Sequence, residues 1–196
     1  DAVRYLANRS SGRLGLCLAD AARAAGWSVT LLLGPGVAEA LTGVRIARFE
    51  STADLARLLE RHFPRCDVLI MAAAVADYRV RRANTGKMPR RARRVVLELE
   101  PTPDLVAACA ARKRADQRIV GFALEERRVL ATRARQKLRR KGLDAIVANP
   151  LETMGADQIR AVVYTAEGAA IQAPRRGSAG VSKRTFARWL IGWLGG

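Results

Sequence analysis

At 196 residues and 49% hydrophobic side chains, the chain is long enough for one packed core and too apolar to be a disordered tail. Thirty-five basic against 18 acidic residues give a net charge of +17, but only Lys87, Lys113, Lys137, Lys141 and Lys183 are lysines, and the arginines are scattered apart from "RRARR" at 90–94. Cys17, Cys66 and Cys109 stand singly and His62 is the only histidine, which excludes a disulfide framework and a Cys/His metal cluster.

The elements follow in order. Residues 14–25 show helical apolar spacing stopped by Gly26. "WSVTLLLGPG" at 27–36 reads as a short strand closed by Gly-Pro-Gly. The segment 51–63 begins with Ser51 and Thr52 as caps and repeats its leucines at helical spacing. "CDVLIMAAAV" at 66–75 is a continuous apolar run, as expected of a parallel strand covered on both faces. "RRVVLELEPT" at 93–102 reads as a strand. A helix follows over 102–113, with Thr102 as cap, Pro103 in the first turn and Asp104 favourable to the dipole. Residues 118–124 form a strand, 125–142 a helix ending at Gly142, and 143–149 another strand. "IRAVVYTAEG" at 159–168 reads as a late strand with a turn, and 182–194 as a final helix. Residues 78–94 and 172–182 read as loops. This alternation predicts a single α/β domain, a three-layer sandwich around a mostly parallel, Rossmann-like sheet.

In such a fold, ligands gather at the carboxyl ends of strands and at helix N-termini. "NRSSG" at 8–12 stands at a helix start. Ser10, Ser11 and Gly12 fit a phosphate-binding turn, and they fit an ordinary serine cap equally well. The dinucleotide fingerprint G-x-G-x-x-G and the Walker loop are both missing. "AAAVADYR" at 72–79 ends an apolar run on Asp77, suited to a ribose hydroxyl, to Mg²⁺ or to capping a turn. Lys87 lies ten residues on, in the loop "ANTGKMPRR", where it is either a phosphate clamp or a solvated lysine. Lys137 and Lys141 share one helix face; as like charges they repel unless an anion or acceptor lies opposite.

Together, "DAVRYLANRSSGRLG", "AAAVADYR", "PTPDLV", "IVGFALE" and "RQKLRRKGLDAIVAN" resemble, in order and spacing, phosphopantothenate–cysteine ligase. The resemblance is strong to about Asn149 and weaker beyond. It implies a step of coenzyme A synthesis, and the three unpaired cysteines suit a reducing cytoplasm. CTP, with Mg²⁺, activates the carboxylate of 4′-phosphopantothenate as an acyl-cytidylate, and the amine of L-cysteine then displaces CMP. It further implies Asn8 and Lys87 as catalytic residues, Arg4 and Asn8 as contacts to phosphopantothenate, and Asp77 as the metal position. The implied nucleotide contacts are Ser10, Ser11, Gly12, Asp77, Lys87, Thr102, Pro103, Asp104, Leu105, Phe122, Lys137 and Lys141. A homodimer is the implied assembly.

The chain departs from the family where K-x-K-K becomes Lys87-Met88-Pro89-Arg90. It also lacks the family's preceding strand and Gly-Gly-Thr-x-Glu segment, so the natural protein is expected to be longer, its sheet otherwise leaving an unpaired edge. A flavin-dependent decarboxylase domain is often fused ahead of the ligase; neither its catalytic histidine motif nor its flavin loop occurs here. Three other readings remain: a basic nucleic-acid-binding α/β module, which would want aromatics among its cations; a nucleotide-dependent oxidoreductase; and an inactive member of the same family. No apolar run reaches the ~18 residues of a membrane span.

Overall fold

The computed structural model describes residues 1–37, 41–90, 94–175 and 180–196. Helix α1 (Arg13–Ala24) leads into strand β1 (Thr30–Leu33), which pairs in parallel with β2 (Arg45–Arg48). Helix α2 (Thr52–His62) starts on a reciprocal cap: the Ser51 hydroxyl accepts from the Asp54 amide, and the Asp54 carboxylate accepts from the Ser51 amide. Strand β3 (Val68–Ile70), the hairpin β4 (Tyr78–Val80) and β5 (Leu99–Pro101), and helix α3 (Leu105–Ala110) follow. Then come β6 (Arg118–Glu125), α4 (Leu130–Lys141), β7 (Ala145–Pro150), β8 (Gln158–Ile159), β9 (Val162–Thr165), β10 (Ala170–Gln172), β11 (Val181–Ser182) and α5 (Lys183–Gly195).

The central sheet has the order β10-β9-β7-β6-β3, with β3, β6 and β7 parallel and the β9–β10 hairpin antiparallel at one side. β8 and β11 form a separate antiparallel pair of two residues each. Alternation along the strands builds two cores at once, because successive side chains point to opposite faces. In β7, Ala145 and Val147 face α1 and α5, while Ile146 and Ala148 face α2, α3 and α4. β6 does the same with Val120 on the first face and Ile119 and Ala123 on the second. Leu18, Ala21 and Ala22 of α1 meet Phe186, Leu190 and Ile191 of α5 in the first core. The three-layer, mostly parallel architecture expected from the sequence is thus present.

The β1 segment contributes to the same two cores, Val29 just before the strand to one and Leu32 within it to the other, yet no ladder joins the β1–β2 pair to β3. Among the described residues, β1 and β3 each keep one edge without a paired strand.

Several element boundaries differ from the sequence reading. β2 has no counterpart there, since "VRIARF" is split by arginines on its exposed positions. The run 66–75 yields only three strand residues; Met71 to Asp77 leave the ladder, and Met71 N makes the last bond, to Val120 O at 2.8 Å. The expected loop at 78–94 contains β4, and the strand expected over 93–102 is confined to Leu99–Pro101; Arg93 lies outside the described residues. α4 begins at Leu130 rather than at 125, because Glu126 to Val129 form a turn closed by Val129 N on Glu126 O.

Phe186 is fully buried where α5 crosses α1. Phe186→Ala should cost ~3–5 kcal/mol, the usual range for emptying an aromatic site in a core. Urea denaturation will read this directly; a loss under ~1 kcal/mol would mean that α5 is not packed as described.

Candidate functional site

The segment that leaves the carboxyl end of β3 anchors the first of the candidate groups. Past β3 the backbone runs through Ala72, Ala73 and Ala74, whose small side chains admit another loop closely. Asn8 uses that space: its Nδ2 donates to the Ala74 carbonyl. Two residues on, the Ala76 carbonyl accepts from Thr102 Oγ1 at 2.5 Å and the Asp77 carbonyl from Thr102 N at 2.9 Å. The segment 74–77 is therefore bonded from both sides, by the N-terminal loop and by the approach to α3.

The Lys87 loop is tied to the same N-terminal loop. Arg4 Nη2 donates to the Met88 carbonyl at 2.7 Å, and the Asp1 carboxylate accepts from Met88 N at 3.2 Å. Asp1 also pairs with the Arg4 guanidinium and accepts from the Arg4 amide at 2.9 Å. Arg4 and Lys87 are thereby brought to one place, although 83 residues separate them. Lys87 itself is exposed, and no described group pairs with its ammonium.

The serine-cap reading of "NRSSG" fails in the structure. The residue capping α1 is Gly12, at φ 69°, and no side chain caps the helix. That φ suits glycine, and a Cβ there would meet Val37 Cγ2 at 2.5 Å. The first-turn amides of α1 accordingly lack a side-chain acceptor, and no acidic residue lies in that turn. Such a helix start, with the exposed hydroxyls of Ser10 and Ser11 beside it, is suited to an anion.

Asp104, not Thr102, caps α3: its carboxylate accepts from Ala107 N at 3.2 Å, and Thr102 is instead spent on Ala76. The same carboxylate meets Lys141 Nζ at 2.9 Å. Pro103 is exposed between them, whereas the Leu105 side chain is buried among Leu55, Leu59 and Leu138 and offers a ligand only its backbone. Phe122 is half-buried against the α1–α5 core. Lys137 reaches Glu125 Oε1 at 2.7 Å.

The acceptors opposite Lys137 and Lys141 are thus carboxylates, Glu125 and Asp104. Sequence reasoning missed Glu125, and with it Arg133, whose Nη1 lies 2.8 Å from Glu125 Oε2. The signal was there: Arg133 stands four residues before Lys137, and Glu125 closes the quoted motif "IVGFALE". Burial pushes the Glu125 carboxyl up, but the hydrogen bonds from Lys137 and Arg133 outweigh it and hold the group below the usual glutamate range.

Among the described residues no three His, Cys, Asp or Glu side chains converge as a metal centre. Asp77 is exposed, with no described hydrogen bond to its carboxylate, and suits a Mg²⁺ ion that keeps its waters and takes substrate phosphates as further ligands. Cys17, Cys66 and Cys109 are all held above the ordinary thiol range, chiefly by burial, so none presents a ready thiolate. No described helix is long and apolar enough to cross a membrane.

Comparison with known proteins places the chain as a whole. Residues 1–193 match the family described as DNA/pantothenate metabolism flavoprotein C-terminal domain. The chain is 41% identical over 157 residues to a cysteine/cysteine sulfinic acid decarboxylase from an unknown prokaryotic organism, covering 80% of this chain and 44% of that protein. It is 31% identical over 157 residues to the coenzyme A biosynthesis bifunctional protein CoaBC of Borreliella burgdorferi, covering 80% of this chain and 40% of the relative. The chain therefore spans less than half the length of these curated relatives. The crystal structure of the C-terminal domain of a coenzyme A biosynthesis bifunctional protein CoaBC superposes with a TM-score of 0.81 at 30% identity, over 99% of this chain and 86% of that one.

Because the folded Glu125 carboxyl titrates below its unfolded value, its stabilising contribution is complete above the unfolded value and is lost as pH falls through the folded one. The difference in urea midpoint between wild type and Glu125→Gln should hold steady from about pH 7 to about pH 5 and shrink toward about pH 3. A difference that ignores pH over that span would show that the carboxylate is not ion-paired.

Proposed function

The chain belongs to the DNA/pantothenate metabolism flavoprotein C-terminal domain family, and on that premise we propose that it is a phosphopantothenate–cysteine ligase acting in coenzyme A biosynthesis, with CTP as the activating nucleotide. The observation that carries this reading is the double tie of the N-terminal loop. Asn8 is bound to the end of β3 and Arg4 to the Lys87 loop, so one loop serves both the acid and the phosphates.

In the first half-reaction a carboxylate oxygen of 4′-phosphopantothenate attacks the α-phosphorus of CTP, and the bond to the β-phosphate breaks to release pyrophosphate. Three phosphates and a carboxylate crowd together there, so the work of the protein is to neutralise and to align. Lys87 supplies an exposed cation for that charge, and the uncapped start of α1 supplies backbone N–H donors. Mg²⁺, held by Asp77, would add charge neutralisation between phosphates. In the second half-reaction the cysteine amine attacks the acyl carbon, the bond to cytidylate breaks, CMP leaves, and the amine proton passes to solvent. Asn8 has committed its Nδ2 to Ala74, which leaves Oδ1 as the acceptor for the incoming amine. No protein nucleophile is needed, in keeping with three thiols held up by burial and a lone His62 at the end of α2.

The assembly we propose is a homodimer. Val95, Val96, Leu97 and Tyr78, all exposed on or beside the β4–β5 hairpin, give it an apolar surface to bury. The name of the 41% identical relative suggests decarboxylation as a second reading. It is less well supported, because residues 1–193 match the C-terminal domain family and the C-terminal domain of a CoaBC superposes over 99% of this chain, whereas the decarboxylase is matched over 44% of its length. A decarboxylase domain elsewhere in the full-length protein is compatible with both.

Pyrophosphate release from CTP with 4′-phosphopantothenate and Mg²⁺, with and without cysteine, tests the proposal, and ATP in place of CTP tests the nucleotide. Asn8→Asp should still release pyrophosphate and stall before the amide forms; normal product from that variant removes Asn8 from the second step. Lys87→Gln should slow pyrophosphate release on the order of 10²-fold, the scale for one transition-state donor. An unchanged rate would pass the role to Arg90 or another cation of the loop.

A further inference from the structure

Helix α4 carries Arg133, Lys137 and Lys141 at intervals of four residues, so the three cations line one face over about 12 Å. Like charges at that spacing repel. Two carboxylates hold them together: Glu125 between Arg133 at 2.8 Å and Lys137 at 2.7 Å, and Asp104 against Lys141 at 2.9 Å. Three positive against two negative charges leave the row net cationic.

Its members differ in freedom. Glu125 is the last residue of β6, still in register opposite Pro150 of β7, and its side chain is 12% exposed. The Arg133 and Lys137 side chains are 58% and 34% exposed. The carboxylate is the fixed partner, and the cations are the parts that would otherwise sweep through solvent. Holding a long side chain in one rotamer ahead of binding removes an ordering cost that an anion would have to meet.

We propose that Glu125 is a positioning residue of this site, holding Lys137 and Arg133 at the carboxyl end of β6 for the phosphates of the nucleotide, and that Arg133 is a further phosphate contact. The identity of the nucleotide rests on the ligase reading; the anion site does not. A guanidinium beside an ammonium suits a polyphosphate, the one offering a planar fork and the other a point charge.

The proposal predicts a sign opposite to that of simple charge. Glu125→Gln makes the row one unit more positive, so a carboxylate that only dilutes the local field would, when removed, tighten anion binding. A positioning carboxylate would, when removed, weaken it. Titration calorimetry of the full-length protein with inorganic triphosphate should show Glu125→Gln binding about 10-fold more weakly than wild type, with Glu125→Asp partly restored, the scale of one or two charge-assisted hydrogen bonds. Arg133→Ala should weaken triphosphate by about 3- to 10-fold. In the ligase assay, Glu125→Gln should raise KM for CTP and leave KM for cysteine unchanged; a folding defect would lower kcat and move neither. Equal or tighter triphosphate binding by Glu125→Gln overturns the proposal, as does wild-type protein that fails to bind triphosphate. Weakened binding in a protein whose wild type makes no amide would uphold the anion site and overturn the ligase reading alone.

Discussion

Strand β6 is paired on both edges and packed on both faces, and the polar site depends on its having no freedom. β3 lies on one side and β7 on the other, Ile119 and Val120 are fully buried on opposite faces, and a slip of one residue would exchange those faces throughout. Such a strand can be irregular only where it ends. At that end stand Glu125, which holds two cations of α4, and the neighbouring exit of β3, where Met71 N makes the last bond before the alanine run. The N-terminal loop, the 74–77 segment and the start of α3 are all located by reference to that edge. None is long enough to fold alone, but each is bonded to at least one of the others.

Charge has a different standing in this chain than its net value suggests. Most ion pairs between exposed arginines and acids, such as Arg79–Glu100 and Arg81–Glu98 across the β4–β5 hairpin, contribute little to stability. The informative pairs are those in which the acid's backbone is held by a strand or a helix start. Glu125 and Asp104 are both fixed by backbone, one in a strand and one as a helix cap, and each meets a lysine of α4. An excess of arginine spread over the surface says little about partners; a cation aimed by a buried acid at a strand end says a good deal.

Most of the fold was legible because periodicity reports burial. α1, α2, α4, α5, β6 and β7 lie within a few residues of the segments marked by apolar spacing and by caps. What escaped was structure without an apolar signature. β2 sets Ile46 and Ala47 between two exposed arginines, and β4 is largely exposed, so neither differs in pattern from a polar loop, whereas β5 falls within the strand expected over 93–102. The cap of α3 was misplaced because Thr102 and Asp104 are both good caps, and the choice was made by a tertiary bond from Thr102 to Ala76 that no local pattern announces. The site was legible through resemblance far more than through physics. Asn8, Arg4 and Lys87 look like ordinary loop residues until their partners at Ala74 and Met88 are known. Glu125 was overlooked for a related reason: its two partners lie 8 and 12 residues ahead, across the turn that the helical reading of 125–142 had removed.

On the ligase reading, this arrangement explains why the site has no reactive side chain of its own. A thiolate near the acyl-cytidylate would compete with the cysteine amine for the acyl carbon. Burial raises each of the chain's three thiols above the ordinary range, and Cys109 is almost completely enclosed on the inner face of α3. A strong general base would be of little use either, since an amine attacking a mixed anhydride meets an excellent leaving group and needs direction more than deprotonation. In the role we propose for it, Asn8 gives that direction, being neutral at every relevant pH and anchored by its amide nitrogen to the segment after β3. The site is therefore built from cations that neutralise, backbone amides that receive, and one amide side chain that points. The rigidity those groups require is inherited from β6 through hydrogen bonds to main-chain carbonyls, which do not depend on which residue occupies the neighbouring position.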